Sequence, residues 1–373
     1  MRVVIDATPL LVRSAGVKNY LYYWIGHLRR AAGGDAIGTL PPMPALGGLR
    51  HDASIAARWH TVRGLGTLAL ANYTPLPLLD ACARGADVFH CSVLVRRPPR
   101  RPLLTATIHD LTCFLTPELH PAANLCAERS FARILKRADG LIAVSESTRR
   151  DAVRVLGIAP ERIAVIHSGV ADAFFECTSE AAQAVRRRYR LERPFVLFVG
   201  TIEPRKNLDL LLDAYRALAP ELRAAFELVV AGPVGWQAER TVERLRSVRY
   251  LGYVPEADLA PLTAAASVFA YPSLYEGFGF PVAQAMAAGV AVVTSNSSSL
   301  PEVAGDGALL VDPRSLEELK AALGRLLGSA ELRASLGAAG RARAQRYRWK
   351  ECAARSLEFF VRVTGGGMPA NSG

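Results

Sequence analysis

Residues 195–208 read FVLFVGTIEPRKNL, and this stretch decides the fold. Its first part, Phe195–Val199, is apolar throughout, which is typical of a strand buried on both faces of a parallel sheet. The following residues, Leu208–Leu218, carry their apolar side chains at helical spacing, and Asn207 is expected to be the N-cap of that helix. A strand, a loop and a helix in this order are the repeating unit of an α/β fold.

The same alternation of apolar runs and helical patterns extends in both directions from this stretch. In the first half, the predicted strands are Val3–Ala7, Val88–Cys91, Leu103–Ile108, Leu141–Val144 and Ile163–Ile166. In the second half, they are Phe195–Val199, Leu228–Ala231, Tyr250–Val254, Val268–Tyr271, Ala291–Thr294 and Leu309–Val311. The predicted helices are Tyr20–Arg30, Ala123–Arg137, Leu208–Leu218, Pro281–Ala288, Leu316–Leu327 and Trp349–Val363. This order predicts two successive α/β halves with parallel sheets.

A length of 373 residues suits two domains better than one core. The alternation lapses in the polar, arginine-rich segment Ala171–Arg193, which we interpret as the inter-domain linker. We therefore predict an N-terminal Rossmann-like domain over 1–175 and a C-terminal one over 190–345. Residues 33–50, which are rich in glycine and proline, are predicted to form a surface loop. Because open parallel sheets bind ligands at the carboxyl ends of their strands, the expected site is a cleft between the domains.

The charge balance favours an anionic partner, since the formal net charge is +11. One dense basic group comprises Arg96, Arg97, Arg100 and Arg101, and a second, at helical spacing, comprises Arg129, Arg133, Lys136 and Arg137. Two interpretations stay open: both groups are solvated faces, or they give peripheral contact with an anionic membrane. We do not expect nucleic acid as the partner.

The N-terminus, the apolar runs and the cysteines indicate the cellular compartment. The N-terminus lacks the apolar core of a secretory signal, and no run of residues is apolar enough for a membrane helix. The six cysteines are scattered and form no CxxC pair, so we expect reduced thiols. The expected location is the cytoplasm, with peripheral binding at the inner face of the plasma membrane as a possibility.

The loop after the strand Phe195–Val199 has the features of a phosphate site. Gly200 and Thr201 come first, and the glycine lets a ligand approach the backbone closely. Arg205 and Lys206 then stand beside the start of a helix, where side-chain charges add to the free N–H groups and the helix dipole. Arg grips a phosphate with two hydrogen bonds, while Lys supplies a point charge.

A second loop, residues 272–281, follows the strand Val268–Tyr271 and reads PSLYEGFGFP. Gly277 and Gly279 permit a tight backbone with space for a ligand, and the proline at its end suits the first turn of a helix. The loop is predicted to aim backbone N–H groups and the carboxylate of Glu276 into the cleft, where the carboxylate can accept hydrogen bonds from sugar hydroxyls.

Taken together, these segments resemble a known family. The glycine-bearing loop at 14–20, the pair His109-Asp110, the E-P-R-K-N segment and the E-G-F-G-F-P segment are similar to those of retaining GT-B glycosyltransferases of family GT4, typified by bacterial mannosyl- and glucosyltransferases. The resemblance covers nearly the whole chain. It implies two Rossmann-like domains facing each other across a cleft, with the acceptor on the first domain and a nucleotide-diphosphate sugar on the second. It also implies that a helix over 346–365 returns to the first domain.

The resemblance implies roles for individual residues of the second domain. Glu276 matches the first acid of the family's E-x7-E motif, which contacts donor-sugar hydroxyls, while Arg205 and Lys206 match the pair that binds the donor diphosphate. Main-chain contacts to the sugar would come from Gly277, Phe278 and Gly279, and Val254 would lie near the nucleobase. The second acid of the motif is replaced here by Gln284, which keeps a hydrogen-bonding carbonyl but loses charge-assisted bonds to the ribose.

In the first domain, His109 looks like the family's histidine near the donor sugar, with a role in substrate positioning and transition-state stabilisation. Gly16 and Val17 correspond to the loop beside the diphosphate and the acceptor. The run His109-Asp110-Leu111-Thr112 with Pro117-Glu118 is similar to bacterial mannosyl- or rhamnosyltransferases of surface polysaccharide assembly, which makes a GDP-mannose-like donor the leading expectation. No acidic D-x-D site is apparent, so we expect neither a metal nor any other cofactor.

Two alternatives stay open at this point. A non-catalytic homologue that binds a sugar nucleotide is supported only by Gln284. An NAD-dependent oxidoreductase shares the α/β pattern, but the chain has no strand–G-x-G-x-x-G–helix unit.

Overall fold

The computed structural model describes residues 1–14, 16–32 and 36–366. The chain divides into two compact units. Unit 1 contains Met1–Gly169 together with the chain from Trp349 onward, and unit 2 contains Val170–Arg348.

Unit 1 alternates strands and helices. Its strands are β1 (Val3–Asp6), β2 (Ile37–Leu40), β3 (Val88–Cys91), β4 (Leu103–Ile108), β5 (Gly140–Ala143) and β6 (Ile163–Val165). Its helices are α1 (Gly16–Ala32), α2 (Arg58–Tyr73), α3 (Leu78–Cys82), α4 (Thr112–Leu115), α5 (Ala122–Arg137) and α6 (Glu146–Leu156), with the final helix α17 (Trp349–Thr364) at the end of the chain. The order along its parallel sheet is β2-β1-β3-β4-β5-β6.

Unit 2 repeats this architecture. Its strands are β7 (Phe195–Val199), β8 (Glu227–Ala231), β9 (Arg249–Tyr250), β10 (Val268–Tyr271), β11 (Ala291–Ser295) and β12 (Ala308–Val311). Its helices are α7 (Asp172–Phe175), α8 (Ser179–Arg188), α9 (Leu208–Arg216), α10 (Pro220–Ala225), α11 (Glu239–Arg244), α12 (Glu256–Ala264), α13 (Phe280–Ala287), α14 (Leu300–Ala304), α15 (Leu316–Gly328) and α16 (Ala330–Ala344). The sheet order is β12-β11-β10-β7-β8-β9, again with parallel pairing.

Each sheet has one place where the strand order reverses. In unit 1 it lies between β1 and β3, and in unit 2 between β7 and β10. Neighbouring crossover connections leave in opposite directions there, which opens a crevice at the carboxyl ends of the strands. Functional side chains are therefore expected in the loops after β1, β3, β7 and β10.

The central strands are apolar because helices cover both of their faces. Every residue of β10, Val268–Tyr271, is buried, and so is every residue of β1. This burial explains why the sequence shows continuous apolar runs and no alternation. The predicted two-domain α/β fold is confirmed, and the central strands agree with the prediction to within a residue or two.

The last helix packs within unit 1. The indole N–H of Trp24 in α1 donates to the Ser356 hydroxyl of α17 over 2.9 Å, and the Trp349 ring meets the Tyr20 ring edge-on at 5.5 Å. Gly169, which ends the first segment of unit 1, lies against the first residue of this helix, since a Cβ added at Gly169 would lie 2.4 Å from the Trp349 ring.

Three local predictions are wrong. Ala171–Arg193 is no linker, because it contains α7 and α8 and belongs to unit 2. Helix α8 buries Val185 and exposes Arg187 and Arg188, so an amphipathic helix produced the polar pattern. The predicted loop 33–50 contains β2, the strand beside β1, although residues 33–35 lie outside the described residues. The strand predicted at Tyr250–Val254 ends at Tyr250.

Two further features concern the chain as a whole. All six cysteines are free thiols. Over the described ranges, no helix combines the length and the apolar character needed to cross a bilayer.

Candidate functional site

In unit 2, the loops that follow β7 and β10 are joined by hydrogen bonds at the point where the strand order reverses. The Arg205 carbonyl accepts from the Leu274 amide at 2.9 Å and from the Ser273 hydroxyl at 3.0 Å. The Arg205 guanidinium in turn donates to the Tyr275 carbonyl at 2.8 Å. Two segments that lie about 70 residues apart in the sequence therefore form one rigid wall.

At the centre of this wall lies the carboxylate of Glu276. Its Oε1 accepts from Lys206 Nζ at 2.6 Å, from the Ser273 hydroxyl at 2.7 Å and from the Tyr271 hydroxyl at 3.0 Å. Its Oε2 lies 3.1 Å from the Arg205 guanidinium. The Glu276 side chain is only 9% exposed, so these interactions act in a poorly solvated setting.

The Glu276 carboxylate stays ionised despite its burial. Burial alone would raise its pKa, but the charges of Lys206 and Arg205, together with the hydrogen bonds from Lys206 and Ser273, lower the pKa to about 2. An anionic acid between two cations is consequently the resting state of the site.

This arrangement corrects one part of the sequence interpretation. We expected the Glu276 carboxylate to point into the cleft and the two cations to form a phosphate site, but both cations contact Glu276 directly. Arg205 also pairs with Glu203 at 2.8 Å. Two acids and two bases thus form the cluster Glu203–Arg205–Lys206–Glu276, which carries no formal net charge.

The supports of the cluster include residues that the sequence analysis missed. The Glu276 amide donates to the Ser298 hydroxyl at 2.9 Å, and the Ser299 hydroxyl donates to the Glu276 carbonyl at 2.9 Å. Of the backbone N–H groups that this loop was predicted to aim into the cleft, that of Glu276 is already bonded within the protein. The signal for this brace was the serine run Ser297–Ser299, which comes shortly after β11.

Asn207 differs from its predicted role as a helix N-cap. The helix begins at Leu208 as expected, but Asn207 adopts a left-handed backbone with φ of 56° and makes no side-chain cap. Its amide instead donates to the carbonyls of Pro272 and Pro313 at 3.0 and 2.7 Å. Asn207 therefore fastens the loop after β7 to its neighbours.

Two of the predicted glycines have different steric settings. Gly279 precedes α13 with φ of +91°, and an added Cβ would lie 2.6 Å from the Leu300 side chain, so the position requires glycine. An added Cβ at Gly200 would meet the Phe198 and Tyr271 rings only at 3.5 Å. Gly200 and Thr201 are both partly exposed after β7. Packing therefore leaves room for alanine at Gly200.

The other predicted residues of unit 2 are buried or half-buried. The Phe278 side chain is buried and packs against Phe280 and Tyr347, with ring centroids 5.4 Å apart in both pairs. Gly277 is buried in the same turn. Gln284 is half-buried within α13, while Val254 is buried, as a packing residue would be.

In unit 1, a cavity of about 110 Å³ lies at the carboxyl ends of the strands. At the strand reversal, the buried Asp6 carboxylate accepts from Thr8 Oγ1 at 2.7 Å and from the Ser92 hydroxyl. Burial raises the pKa of Asp6, although the hydrogen bonds from Ser92 and Thr8 oppose that rise. Asp6 and Ser92, which the sequence analysis did not select, thus tie the loops after β1 and β3 together.

His109 lines this cavity directly after β4. Its ring meets the Tyr20 ring edge-on at 4.9 Å. Burial lowers its pKa to about 4, although the adjoining Asp110 carboxylate acts in the opposite direction. At neutral pH the imidazole is therefore uncharged and suited to hydrogen bonding.

Glu128 lines the same cavity from α5 and was also missed. Burial, and in second place the charge of Asp110, raise the pKa of Glu128 to about 7. The sequence pattern drew attention to the basic residues of this helix, so the single inward acid did not stand out.

Gly16 and Val17 were expected in a loop, but they form the first residues of α1. Gly16 is exposed, and a Cβ added there would meet no heavy atom within 4 Å. Val17 lines the unit 1 cavity. Ala15, which precedes them, lies outside the described residues.

In the described part of the chain, no group of three or more His, Cys, Asp or Glu side chains is placed to hold a metal ion.

Comparison with known proteins assigns both units. The family model "Glycosyltransferase Family 4" matches residues 16–174, and the model "Glycosyl transferases group 1" matches residues 182–343. The O-antigen chain mannosyltransferase B of Escherichia coli is 35% identical over 271 residues, which is 70% of this chain and 71% of that protein. The chain belongs to glycosyltransferase family 4. It is a glycosyltransferase of the bacterial mannosyltransferase type, as the sequence motifs indicated.

Other relatives of this glycosyltransferase are similar over part of their length. The serotype-specific mannosyltransferase WbdA of Escherichia coli is 30% identical over 320 residues, which is 82% of this chain but only 39% of WbdA. The MMP alpha-(1->4)-mannosyltransferase of Mycolicibacterium hassiacum is 32% identical over 62% of this chain and 56% of that protein. Because these relatives are named as mannosyltransferases, the alternative of a non-catalytic homologue is not favoured.

Solved structures show the fold. Sucrose-phosphate synthase from Thermosynechococcus elongatus matches with a TM-score of 0.73 and 20% identity, covering 98% of this chain and 100% of that chain. Anabaena HepE in complex with UDP-glucose matches with a TM-score of 0.71 and 18% identity, covering 97% of this chain and 99% of that chain. This glycosyltransferase therefore has the GT-B fold, with two Rossmann-like domains.

Proposed function

We propose that this glycosyltransferase moves a hexosyl group, with mannosyl from GDP-mannose as the leading case, to a glycan or lipid-linked acceptor in surface polysaccharide biosynthesis. The anomeric configuration is retained. The name of the O-antigen chain mannosyltransferase B supports the mannosyl group and the polysaccharide. The complex of HepE with UDP-glucose supports a nucleotide-sugar donor.

The observation that carries the proposal is the buried cluster of Arg205, Lys206 and Glu276 at the strand reversal of unit 2. The donor diphosphate binds the outer N–H groups of Arg205 and Lys206, while Glu276 keeps both cations in position. Glu276 Oε2, which lies 3.1 Å from the Arg205 guanidinium, accepts a hydrogen bond from a hydroxyl of the donor sugar.

The chemical step needs stabilisation of the leaving group. The bond between the sugar C1 and the diphosphate oxygen breaks, and its electron pair stays on the diphosphate. The acceptor oxygen bonds to C1, and its proton passes to the diphosphate oxygen that has left C1. Prearranged cations lower the barrier because they need no reorganisation when the negative charge develops.

The remaining expected contacts complete the donor site. Gly200, Thr201 and the Gly277–Gly279 turn approach the diphosphate and the sugar, Gln284 bonds the ribose, and Val254 lies near the base. In unit 1, the uncharged His109 positions the sugar by hydrogen bonding, and Gly16 and Val17 border the acceptor.

A donor panel with mass-spectrometric product detection tests the proposal. The enzyme is incubated with GDP-mannose, UDP-glucose and UDP-galactose, each with a mannose-containing acceptor, and the transferred mass and released nucleotide are measured. We expect turnover with GDP-mannose that is lost in Arg205→Ala and kept in Arg216→Ala, whose arginine lies at the end of α9. Binding of all three donors without turnover contradicts the catalytic proposal.

We further propose that transfer needs no metal ion, because Arg205 and Lys206 already supply two positive charges for the diphosphate. Initial rates with Mg²⁺, with Mn²⁺ and after chelation by EDTA should agree within about twofold. Loss of transfer in EDTA that Mg²⁺ restores would contradict this point.

The location that we propose is the cytoplasmic face of an anionic membrane. Five of the ten exposed large apolar side chains of the described residues lie in one short region, which we call the α2 surface: Trp59, Val62, Leu70, Tyr73 and Leu76. The first four recur at helical spacing along one side of α2, while the opposite side buries Leu68 and Ala71. An unpartnered apolar stripe of this kind is typical of an interaction surface.

The first basic group borders the α2 surface. The Arg96 guanidinium lies 5.0 Å from the centre of the Tyr73 ring, and Arg97 donates to the Thr74 carbonyl at 2.8 Å. Helix α2 itself contains no acidic residue. Aromatic rings flanked by arginines suit the interface of an anionic bilayer, where basic residues add attraction. The basic residues of α5 are exposed as well, but no apolar stripe accompanies them.

Sedimentation with vesicles tests this surface. We expect binding to vesicles that contain phosphatidylglycerol, little binding to phosphatidylcholine alone, and release at high salt. The double variant Trp59→Ser/Tyr73→Ser should bind less, whereas Val234→Ser/Val361→Ser, which removes two exposed apolar residues elsewhere, should bind like the wild type. Equal binding by both double variants would refute the α2 surface as the membrane contact.

A further inference from the structure

The cavity of unit 1 contains an acidic pair that the proposed roles do not use. Glu128 on α5 and Asp110 after β4 both line it, beside His109. Asp110 Oδ1 accepts from the Thr112 amide and hydroxyl at 3.1 and 2.7 Å, while Oδ2 has no hydrogen-bond partner among the described residues. Glu128 is half-buried, and within the described ranges it makes no hydrogen bond or ion pair.

Such a carboxyl group is costly unless a ligand uses it. A poorly solvated polar group without a partner destabilises the folded protein. The energetic cost is visible in the pKa of Glu128, which burial and the neighbouring Asp110 raise to about 7. Sites that bind ligands are places where such groups persist.

The chemistry of the lining selects the ligand. Asp6, Asp110 and Glu128 are acids, whereas the cavity lining includes no lysine or arginine among the described residues. An anionic group such as a phosphate would be repelled here. Neutral hydroxyl groups suit the lining, since each can donate to a carboxylate and accept from a protonated acid.

We propose that Glu128 and Asp110 bind two hydroxyl groups of the terminal sugar of the acceptor, and that this pocket accepts a neutral sugar and rejects a phosphorylated one. This inference rests on the proposed function only in assigning the bound sugar to the acceptor. The donor diphosphate belongs with the cations of unit 2, so the acid-lined pocket of unit 1 takes the partner that carries no charge. Glu128 acts as a positioning and specificity residue, and it takes no part in bond breaking.

The titration of Glu128 adds a second consequence. Ionised carboxylates form stronger hydrogen bonds to hydroxyl donors than neutral acids do, so sugar binding should tighten as the pH rises through about 7. Burial lowers the pKa of His90 to about 3 and that of His109 to about 4, while burial raises the pKa of Cys91 well above its ordinary value. Those groups keep their charge state near pH 7. Asp6, whose pKa is also raised by burial, is already held by Thr8 and Ser92.

Saturation-transfer NMR without any donor tests the pocket directly. Methyl α-mannoside should bind the wild type and the control Glu161→Gln, an exposed acid of unit 1 outside the cavity. Glu128→Gln should weaken binding roughly tenfold, and Glu128→Ala more, as expected for losing a hydrogen bond to a charged group. Mannose 6-phosphate should not bind. Equal binding of the methyl mannoside by wild type and Glu128→Ala, or none by the wild type, overturns the inference.

A kinetic measurement separates this inference from the proposed function. In Glu128→Gln, the KM for the acceptor should rise roughly tenfold while donor hydrolysis and the KM for the donor stay unchanged. The pH dependence of the acceptor KM near 7 should disappear in this variant. Absence of donor turnover in the wild type, with methyl mannoside binding intact, contradicts the proposed function and leaves the sugar pocket standing.

Discussion

The two units place polar side chains at similar points of their sheets but treat charge in opposite ways. In unit 2, Glu276 is surrounded by donors, and its pKa falls to about 2. In unit 1, Glu128 is poorly solvated and lies beside another acid, so that burial and then the Asp110 charge raise its pKa to about 7. The acid of unit 2 is already hydrogen-bonded within the protein, whereas the acid of unit 1 can still form hydrogen bonds to a ligand.

The contrast separates two requirements of group transfer. A leaving group that gains negative charge is stabilised by cations that are already fixed, because no reorganisation is needed during the reaction. A neutral acceptor must be oriented by hydrogen bonds from the protein. Water can take over these hydrogen bonds when the acceptor leaves.

The largest effect is expected on stability when the unit 2 cluster loses its central acid. Glu276→Gln leaves Lys206 and Arg205 without their shared partner, and breaking a buried ion pair in this way costs about 3–5 kcal/mol of unfolding free energy. Urea unfolding measures the difference from the wild type. Glu317→Gln, which removes an exposed partner of Lys320, should cost at most about 1 kcal/mol.

The pH dependence of that difference has a defined sign. The folded-state pKa of Glu276 is depressed to about 2 from an ordinary value of 4.5. Its contribution to stability is therefore complete above pH 4.5 and disappears as the pH falls toward 2. The stability gap between wild type and Glu276→Gln should narrow over that interval, and a gap independent of pH would show that the carboxylate charge is unimportant.

The second effect concerns catalysis. Lys206→Ala removes one prearranged cation, and transfer should fall by about 10²–10³ in kcat, the size expected for losing one stabilising donor of a developing anion. Lys320→Ala is the matched control on the surface of α15. If kcat is kept and only the KM for the donor rises, Lys206 binds the ground state and transition state equally.

The third effect uses two glycines of the same site. Gly200→Ala fits the packing, so unfolding free energy should change little while the KM for the donor rises about tenfold if the diphosphate approaches this backbone. Gly279→Ala places a Cβ on a left-handed backbone and against the Leu300 side chain, which should cost roughly 2–4 kcal/mol. A normal donor KM in a folded Gly200→Ala variant would place the diphosphate elsewhere.

Much of the fold could be predicted because its signals are local. Strands such as Val268–Tyr271 are buried on both faces and appear as unbroken apolar runs, and Arg205, Lys206 and Glu276 follow two such runs directly. The pairing of Glu276 with both cations could not be predicted, since it depends on two loops that become neighbours only in the folded sheet.

The missed elements have a different cause. Helix α8 was missed because it buries only Val185, and one apolar residue among several arginines gives no recognisable helical pattern. Glu128 was missed because a single inward acid on a basic helix has no sequence pattern, and only the packing of α5 beside β4 places it near Asp110. Sequence reasoning found the charged cluster of unit 2, but not the acid pocket of unit 1.

The smallest effect is expected at Gln284, where the family motif has a second acid. Gln284→Glu should lower the dissociation constant of the donor by roughly threefold to tenfold, since charge-assisted hydrogen bonds to ribose hydroxyls replace neutral ones. The kcat should change by less than about twofold, because the ribose lies away from the breaking bond. Isothermal titration with the nucleoside diphosphate measures the change, with Gln183→Glu on the exposed side of α8 as control. Equal affinity of Gln284→Glu and Gln183→Glu for the nucleotide would mean that Gln284 does not contact it. Tighter binding by Gln284→Glu alone would show that the glutamine at this position lowers the donor affinity of unit 2, while the cluster that performs the chemistry is unaltered.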